Sequence, residues 1–521
     1  MSVFELDTLC RYFAIVEQSI DVNSFQVDQI HLWPFLRLTL ASILRNDVNE
    51  ELYIQRASDP NWQKTVELIQ TAFDSLQLST PNPAPLKLEE TSPGSKNGLE
   101  KTSLIGFVSR PADHNINTSD GWYSSIIDGW YHLAKRNCQT QKMEFMVGET
   151  RDPTSFYPRV HPPYLIYPPF YSSDTSLLQE FNNQSKLIVQ SVADFSREKL
   201  GLSFGGDGLI QQLDILIKSS LGFRNSMLSI LKRLPFDLVM IGVSHYAIGF
   251  GVHWAASDLG IDSVELQHGG FGQATPVYTH QTSLPETGYR VRPKIYCAWG
   301  QKTADFILKW YPRNHNYHKV IVGGKVSNDH LTDFFEKEIQ LLKEIIPTDQ
   351  KVILVSLDSN HNANSIETKT IRNLVLSSPK NWFWLIRQHY MANTLGFEGG
   401  LVVESINHLF NSLHFSRFEA ELSSSLPLNL VLSLCDHHVT NFSSTVLEAL
   451  ANGLQTTFLH KYAKIQFEYL SHNGLAHFPS TVEEAIYSIS QSSKSKEVLE
   501  LGQKEVDFRY STHDNFFRST L

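Results

Sequence analysis

Basic charge is in short supply in this 521-residue sequence: Lys and Arg number 44 against 54 Asp and Glu, a formal net charge of −10 with histidine neutral. That excludes a protein held to nucleic acid by its overall charge. Cysteine is scarcer still. The four residues Cys10, Cys138, Cys297 and Cys435 form no C-x-x-C pair, so neither a zinc knuckle nor a disulfide framework is indicated, and a reducing compartment is the simplest setting. Near the N-terminus Glu5 and Asp7 stand where a secretory leader carries Lys or Arg, and the apolar run behind them breaks early, so export by that route is not expected. One stretch, Leu238 to Ser257, has the length of a bilayer span and no Asp, Glu, Lys or Arg. Its contents argue otherwise: Ser244, His245, Gly249, Gly251 and His253 interrupt it, and FDLVMIGV at its start reads as a buried parallel strand leading through a glycine-containing loop into a helix. No short-period repeat is present.

What is there is 41% hydrophobic residues over a length that, at roughly 100–200 residues per domain, suggests about three domains with cores. Residues 1–78 read as a helical subdomain. QVDQIHLWPFLRLTLASILRN and NWQKTVELIQTAFDSLQL carry apolar residues at spacings of three and four, with Pro34 marking a first turn or a kink. Residues 79–101, dense in Pro, Ser, Asn and Gly, read as a linker. From Thr102 onward short apolar runs alternate with helix-length segments, the pattern of βα units around a parallel sheet. Within 102–293 strands are predicted at SLIGFV, KMEFMV, DLVMIGV and DSVELQ, with helices around Trp122 to Arg136, Thr175 to Lys199 and Leu209 to Arg233. Within 294–500 strands are predicted at KIYCAW, KVIVGG, KVILVSL, WFWLIR, DHHVT and TTFLH, and residues 501–521 read as a final helical segment. The predicted class is α/β, with two Rossmann-like domains and an N-terminal helical subdomain.

Open parallel sheets bind ligands beyond the carboxyl ends of their strands. The residues there are His245 after DLVMIGV, His268, Gly269 and Gly270 after DSVELQ, Arg387 and His389 at the end of WFWLIR, and Ser443, Ser444 and Thr445 after DHHVT. The hydroxyl cluster opens a predicted helix with Glu448 one turn in. Free N–H groups and hydroxyls there suit a phosphate, and Glu448 could accept from ribose hydroxyls; a plain N-cap and a capping box are the local alternatives. Gly249 and Gly251 lack the third glycine of a dinucleotide fingerprint. His437 and His438 beside Asp436 point to opposite faces of a strand, which speaks against a shared metal. The polar run DSNHNANS, Asp358 to Ser365, follows a strand and could border a ligand. Trp122, Tyr123, Trp130 and Tyr131 are expected to pack a helix against the sheet.

The order strand, hydroxyl cluster, helix with Glu448, Gly453 and a further strand resembles the donor-binding segment of GT-B glycosyltransferases, especially bacterial enzymes of capsule, lipopolysaccharide or teichoic-acid synthesis. SDLGIDSVELQHGGFG is similar to their "lQHG" strand end, and KVIVGG to the strand that opens their second domain. The resemblance implies two domains facing across a cleft, with an acceptor side on the first and a nucleotide-sugar donor on the second. It also implies Arg387, His389, Ser443, Ser444, Thr445 and Glu448 as donor contacts, with Gly269 and Gly270 in an acceptor-side loop; an inverting transfer needs a base near the acceptor hydroxyl, for which His268, between a strand and the flexible Gly269-Gly270, is the first candidate and His245 the second. WFWLIRQHY matches the histidine-bearing strand end of transferases using CMP-activated acidic sugars, with Tyr390 in place of their proline, so a CMP- or a UDP-linked donor is open. No metal or resident cofactor is expected, the nucleotide sugar being a substrate. The acceptor would be a polysaccharide or a lipid-linked saccharide. The setting would be cytoplasmic, with peripheral attachment to the inner membrane where the acceptor is lipid-linked. A nucleotide-sugar epimerase, a polyol-phosphate transferase and a non-catalytic polysaccharide assembly protein are the alternatives.

Overall fold

The computed structural model describes residues 6–44, 60–76, 103–146, 159–166, 175–270, 272, 274–312, 315–357, 366–389, 406–408 and 410–521. The expected linker and the DSNHNANS run lie outside the described residues, as does Tyr390.

Two parallel sheets organise the chain. The first has seven strands in the order 319–322, 295–298, 262–266, 238–241, 104–109, 139–145 and 164–166. Leu238–Ile241 and Ile295–Ala298 are buried at every position, which is why they read as unbroken apolar runs. The chain winds from Leu104–Ser109 to one edge and returns through the long helices Thr175–Leu200 and Gly206–Leu231. It then continues from Leu238–Ile241 towards the other edge. The second sheet repeats this plan with six strands in the order 418–419, 382–387, 351–356, 437–440, 456–458 and 476–477. Both are doubly wound α/β sheets, as expected.

Two expectations are corrected. KIYCAW and KVIVGG were expected in the second series, yet Ile295–Ala298 pairs in parallel with Asp262–Leu266 and with Lys319–Val322, so both strands complete the first sheet. A strand buried on both faces shows in its sequence that it is covered, not by which neighbour. The helix expected from Trp122 begins only at Asp128. Gly121, at φ 126°, instead closes a small hairpin between Ile116–Thr118 and Gly121–Tyr123. Its Ile116 and Tyr123 enter the core of the second half, beside Leu331, Leu354 and Leu430. Trp130 does pack as expected, against Phe516 and Phe517 of the last helix, Tyr510–Thr520, which lies back on the first sheet.

The helices Leu6–Ser19 and Trp33–Leu44 share one core with Thr175–Leu200, Gly206–Leu231 and the first-sheet residues Tyr296, Ala298 and Val320. Pro34 sits in the first turn of its helix, where its missing N–H costs nothing. The segment weighed as a bilayer span is a strand and the helix Ala247–Asp258. A Cβ on Gly251 would stand 2.7 Å from Ser220 O, so this glycine serves close helix packing. Among the described residues no helix is long and apolar enough to cross a membrane.

Candidate functional site

In each sheet the strand order reverses once, between Leu104–Ser109 and Leu238–Ile241 in the first and between Lys351–Ser356 and His437–Thr440 in the second. Loops diverge at such points and leave a crevice at the carboxyl ends of the strands. Both crevices open on one cleft of about 550 Å³. Arg110, His245, His268 and Gly269 line it from the first sheet; Ser356, Arg387, His389, Ser443, Ser444, Thr445 and Glu448 line it from the second. The structure thus brings His245, His268, Gly269, Arg387, His389, Ser443, Ser444, Thr445 and Glu448 to one cleft, and Gly270 adjoins it: a Cβ there would lie 2.9 Å from Ser444 Cβ.

On the second-sheet wall the hydroxyl cluster partly satisfies itself. Ser443 Oγ lies 3.0 Å from Thr445 Oγ1 and accepts from Thr445 N at 3.3 Å, while Ser444 stands at the N-cap of the short helix Thr445–Leu450 and makes no side-chain capping bond. Ser444 is turned to the opposite wall, its Oγ 3.4 Å from the position a Cβ on Gly269 would take. Arg387 is not a surface ion pair. Its Nη1 donates to the carbonyls of Ser423, at 2.5 Å, and Leu426, at 2.6 Å, which fixes the guanidinium at the cleft floor. Burial pulls its pKa down to about 10, opposed by the Glu448 carboxylate. His389 is pushed down to about 4 by burial and by the Arg387 charge, and is neutral at pH 7. Glu448 pairs with Lys325, a residue the sequence reading missed. Lys325 follows the last strand of the first sheet, and its Nζ stands 4.2 Å from the Trp299 ring centroid. The pair therefore joins the two halves across the cleft. The only sequence signal was a cation one residue beyond KVIVGG.

On the first-sheet wall Gln267 fixes the strand-end loop, donating to Gly269 O at 2.7 Å and accepting from Trp299 N at 2.6 Å. His268 is pushed down to about 4 by burial, with the Arg110 charge acting in the same direction. Its Nδ1 lies 3.9 Å from the Glu265 carboxylate. Glu265, buried to 1% exposure, was also missed. It accepts from Ser244 N at 3.3 Å, from Ser244 Oγ, and from Tyr278 OH at 2.5 Å. Burial raises its pKa while these hydrogen bonds lower it. Tyr278 OH in turn lies 3.0 Å from His245 Nδ1. The loop carrying Tyr278 is gripped by the N-terminal helices. Arg37 donates to the carbonyls of Pro276, Thr279 and His280, and Glu17 pairs with Arg37 while accepting from Thr282 N and Ser283 N.

Outside the cleft, His437 and His438 face opposite sides of their strand, hydrogen bonding Thr457 and Ser492 on one side and Ser356 and Thr456 on the other. Among the described residues no group of three or more His, Cys, Asp or Glu is placed to hold a metal ion.

No family model matches the chain, and no curated protein matches its sequence. Among solved structures it is similar to the UDP-GlcNAc 2-epimerase of Neisseria meningitidis bound to UDP-GlcNAc, at 14% identity and a TM-score of 0.47, covering 80% of this chain and 98% of that one. It is also similar to the glycotransferase of kitacinnamycin, at 13% identity and a TM-score of 0.45, covering 81% and 98%. A third likeness is to the N-terminal domain of Candida albicans trehalose-6-phosphate phosphatase, at 10% identity and a TM-score of 0.45, covering 80% and 96%. These are likenesses of chain path, and the strand order above stands independently of them.

Proposed function

We propose that the protein is a nucleotide-sugar-dependent glycosyltransferase of the GT-B type, acting on a polysaccharide or lipid-linked saccharide acceptor. The observation that carries this reading is the meeting of both switch points in one cleft, whose volume is in the range of small-molecule sites. Arg387 and Lys325 supply positive charge for a diphosphate or phosphate leaving group, and neutral His389 with Ser443, Ser444 and Thr445 supplies hydrogen bonds. His245 and His268 stand on the facing wall, where an acceptor hydroxyl must lose a proton. The sequence resemblance adds a role in surface-polysaccharide synthesis, a CMP- or UDP-linked donor, and work in the cytoplasm or at the inner membrane face.

The test is a thermal-shift screen against CMP, UDP, GDP, CDP and ADP, with and without magnesium, repeated on Ser444→Ala. A ligand that binds only the folded form raises the melting temperature once its concentration exceeds Kd. One nucleotide is expected to stabilise the protein selectively, and the variant to bind it about fivefold to tenfold more weakly, the loss of one hydrogen bond. Absence of any shift at millimolar nucleotide overturns the reading in favour of a non-catalytic assembly protein. Conversion of UDP-GlcNAc without acceptor assigns an epimerase instead.

A further inference from the structure

We propose that Tyr278 and Glu265 are positioning residues that hold His245 in the tautomer presenting a basic Nε2 to the cleft; this rests on the transferase reading above. Glu265 lies at the end of a central strand of the first sheet and receives three donors: the Ser244 backbone N–H, the Ser244 hydroxyl and the Tyr278 hydroxyl. Such a set suits a carboxylate that only accepts. With its proton directed to Glu265, the Tyr278 oxygen is left as an acceptor, and the atom facing it at 3.0 Å is His245 Nδ1. Nδ1 therefore carries the proton and donates. Nε2, on the other edge of the ring, keeps its lone pair.

The half-buried His245 ring lines the cleft next to Arg110, Tyr246 and His268. Its centroid is 5.4 Å from that of His268. His268 Nδ1 instead faces the Glu265 carboxylate at 3.9 Å, with no hydroxyl of the described residues between them to set its tautomer. Fixing the tautomer of a histidine through a hydroxyl and a buried carboxylate is the logic by which a base is oriented and its protonated form stabilised.

In the transfer step, the acceptor oxygen bonds to the anomeric carbon as its proton passes to His245 Nε2. The bond from that carbon to the phosphate oxygen breaks, and its electron pair leaves on the nucleotide phosphate. The imidazolium donates through Nδ1–H to Tyr278 until Nε2 releases its proton to solvent.

The tautomer can be read without any nucleotide, so this test and the nucleotide screen fail separately. The full chain is prepared with ¹⁵N-labelled histidine, and long-range ¹H–¹⁵N correlation spectra are recorded at pH 7.5, with His245 assigned by the signals lost in His245→Gln. The expected wild-type pattern is a protonated Nδ1 and an unprotonated Nε2. In Tyr278→Phe, which keeps the ring and removes only the hydroxyl, the Nδ1 resonance is expected to move to the unprotonated position as the proton shifts to Nε2. A purely packing role for Tyr278 would leave the pattern unchanged. A protonated Nε2 in the wild type overturns the proposal even if the variant does not fold, and an unmoved tautomer in a folded Tyr278→Phe overturns it equally.

Discussion

Burial sets the charge state of the histidines around the cleft. His268 and His389 lie near 4, and His438, buried behind Ser356, lies near 3. In the unfolded chain each titrates near 6.5. Between those values the unfolded state binds more protons, so stability is full above about pH 6.5 and is lost as the pH falls towards the folded values. Each fully buried histidine contributes up to about 1.4 kcal/mol per pH unit to that loss. The urea midpoint is therefore expected to drop between pH 7 and pH 5, and to drop less steeply in His438→Gln. A midpoint flat over that interval would contradict the burial assigned to these rings. Single residues at strand ends were legible in the sequence because the topology rule says where to look: His245, His268, Arg387, His389 and the serines all reach the cleft. Their partners were not. Glu448 and Lys325 are 123 positions apart, and Tyr278 sits in a loop with no strand to point at it.

At the scale of elements, the N-terminal helices act as a clamp on that loop. Glu17 and Arg37 are both buried, and together they occupy five backbone groups between Pro276 and Ser283. Arg37→Met would leave Glu17 as an uncompensated buried charge, and is expected to cost about 3–5 kcal/mol in denaturant unfolding. Adding Glu17→Gln to that variant should recover part of the loss, since the second substitution removes the stranded charge. Equal stability of the single and double variants would show that the pair matters only through the carbonyls it holds. Helices and strands were legible here because apolar spacing and apolar runs are local properties. Sheet membership was not, since Ile295–Ala298 is apolar throughout whichever sheet it joins. A helix is expected from Trp122 because the pairs Trp122–Tyr123 and Trp130–Tyr131 recur at helical spacing; the first pair instead lies in the hairpin, whose determining feature is the positive φ of Gly121.

For the whole molecule, the two halves meet at a narrow seam where Gly269 and Gly270 face Ser444. A side chain at Gly270 would crowd Ser444 and Phe467. Gly270→Val is expected to push the walls apart, lowering the nucleotide-induced thermal shift while leaving the melting temperature without nucleotide close to that of the wild type. An unaltered nucleotide shift would mean that the seam does not shape the cleft. The core shared by the first helices and Val320 has a further consequence, for the protein as it is made. At about 5–20 residues per second, the chain beyond Leu44 takes on the order of tens of seconds to reach Val320. The apolar faces of the first two helices meet their neighbours in stages, those between Phe181 and Leu221 first and Val320 last, so this core is completed only when more than half of the chain has been made.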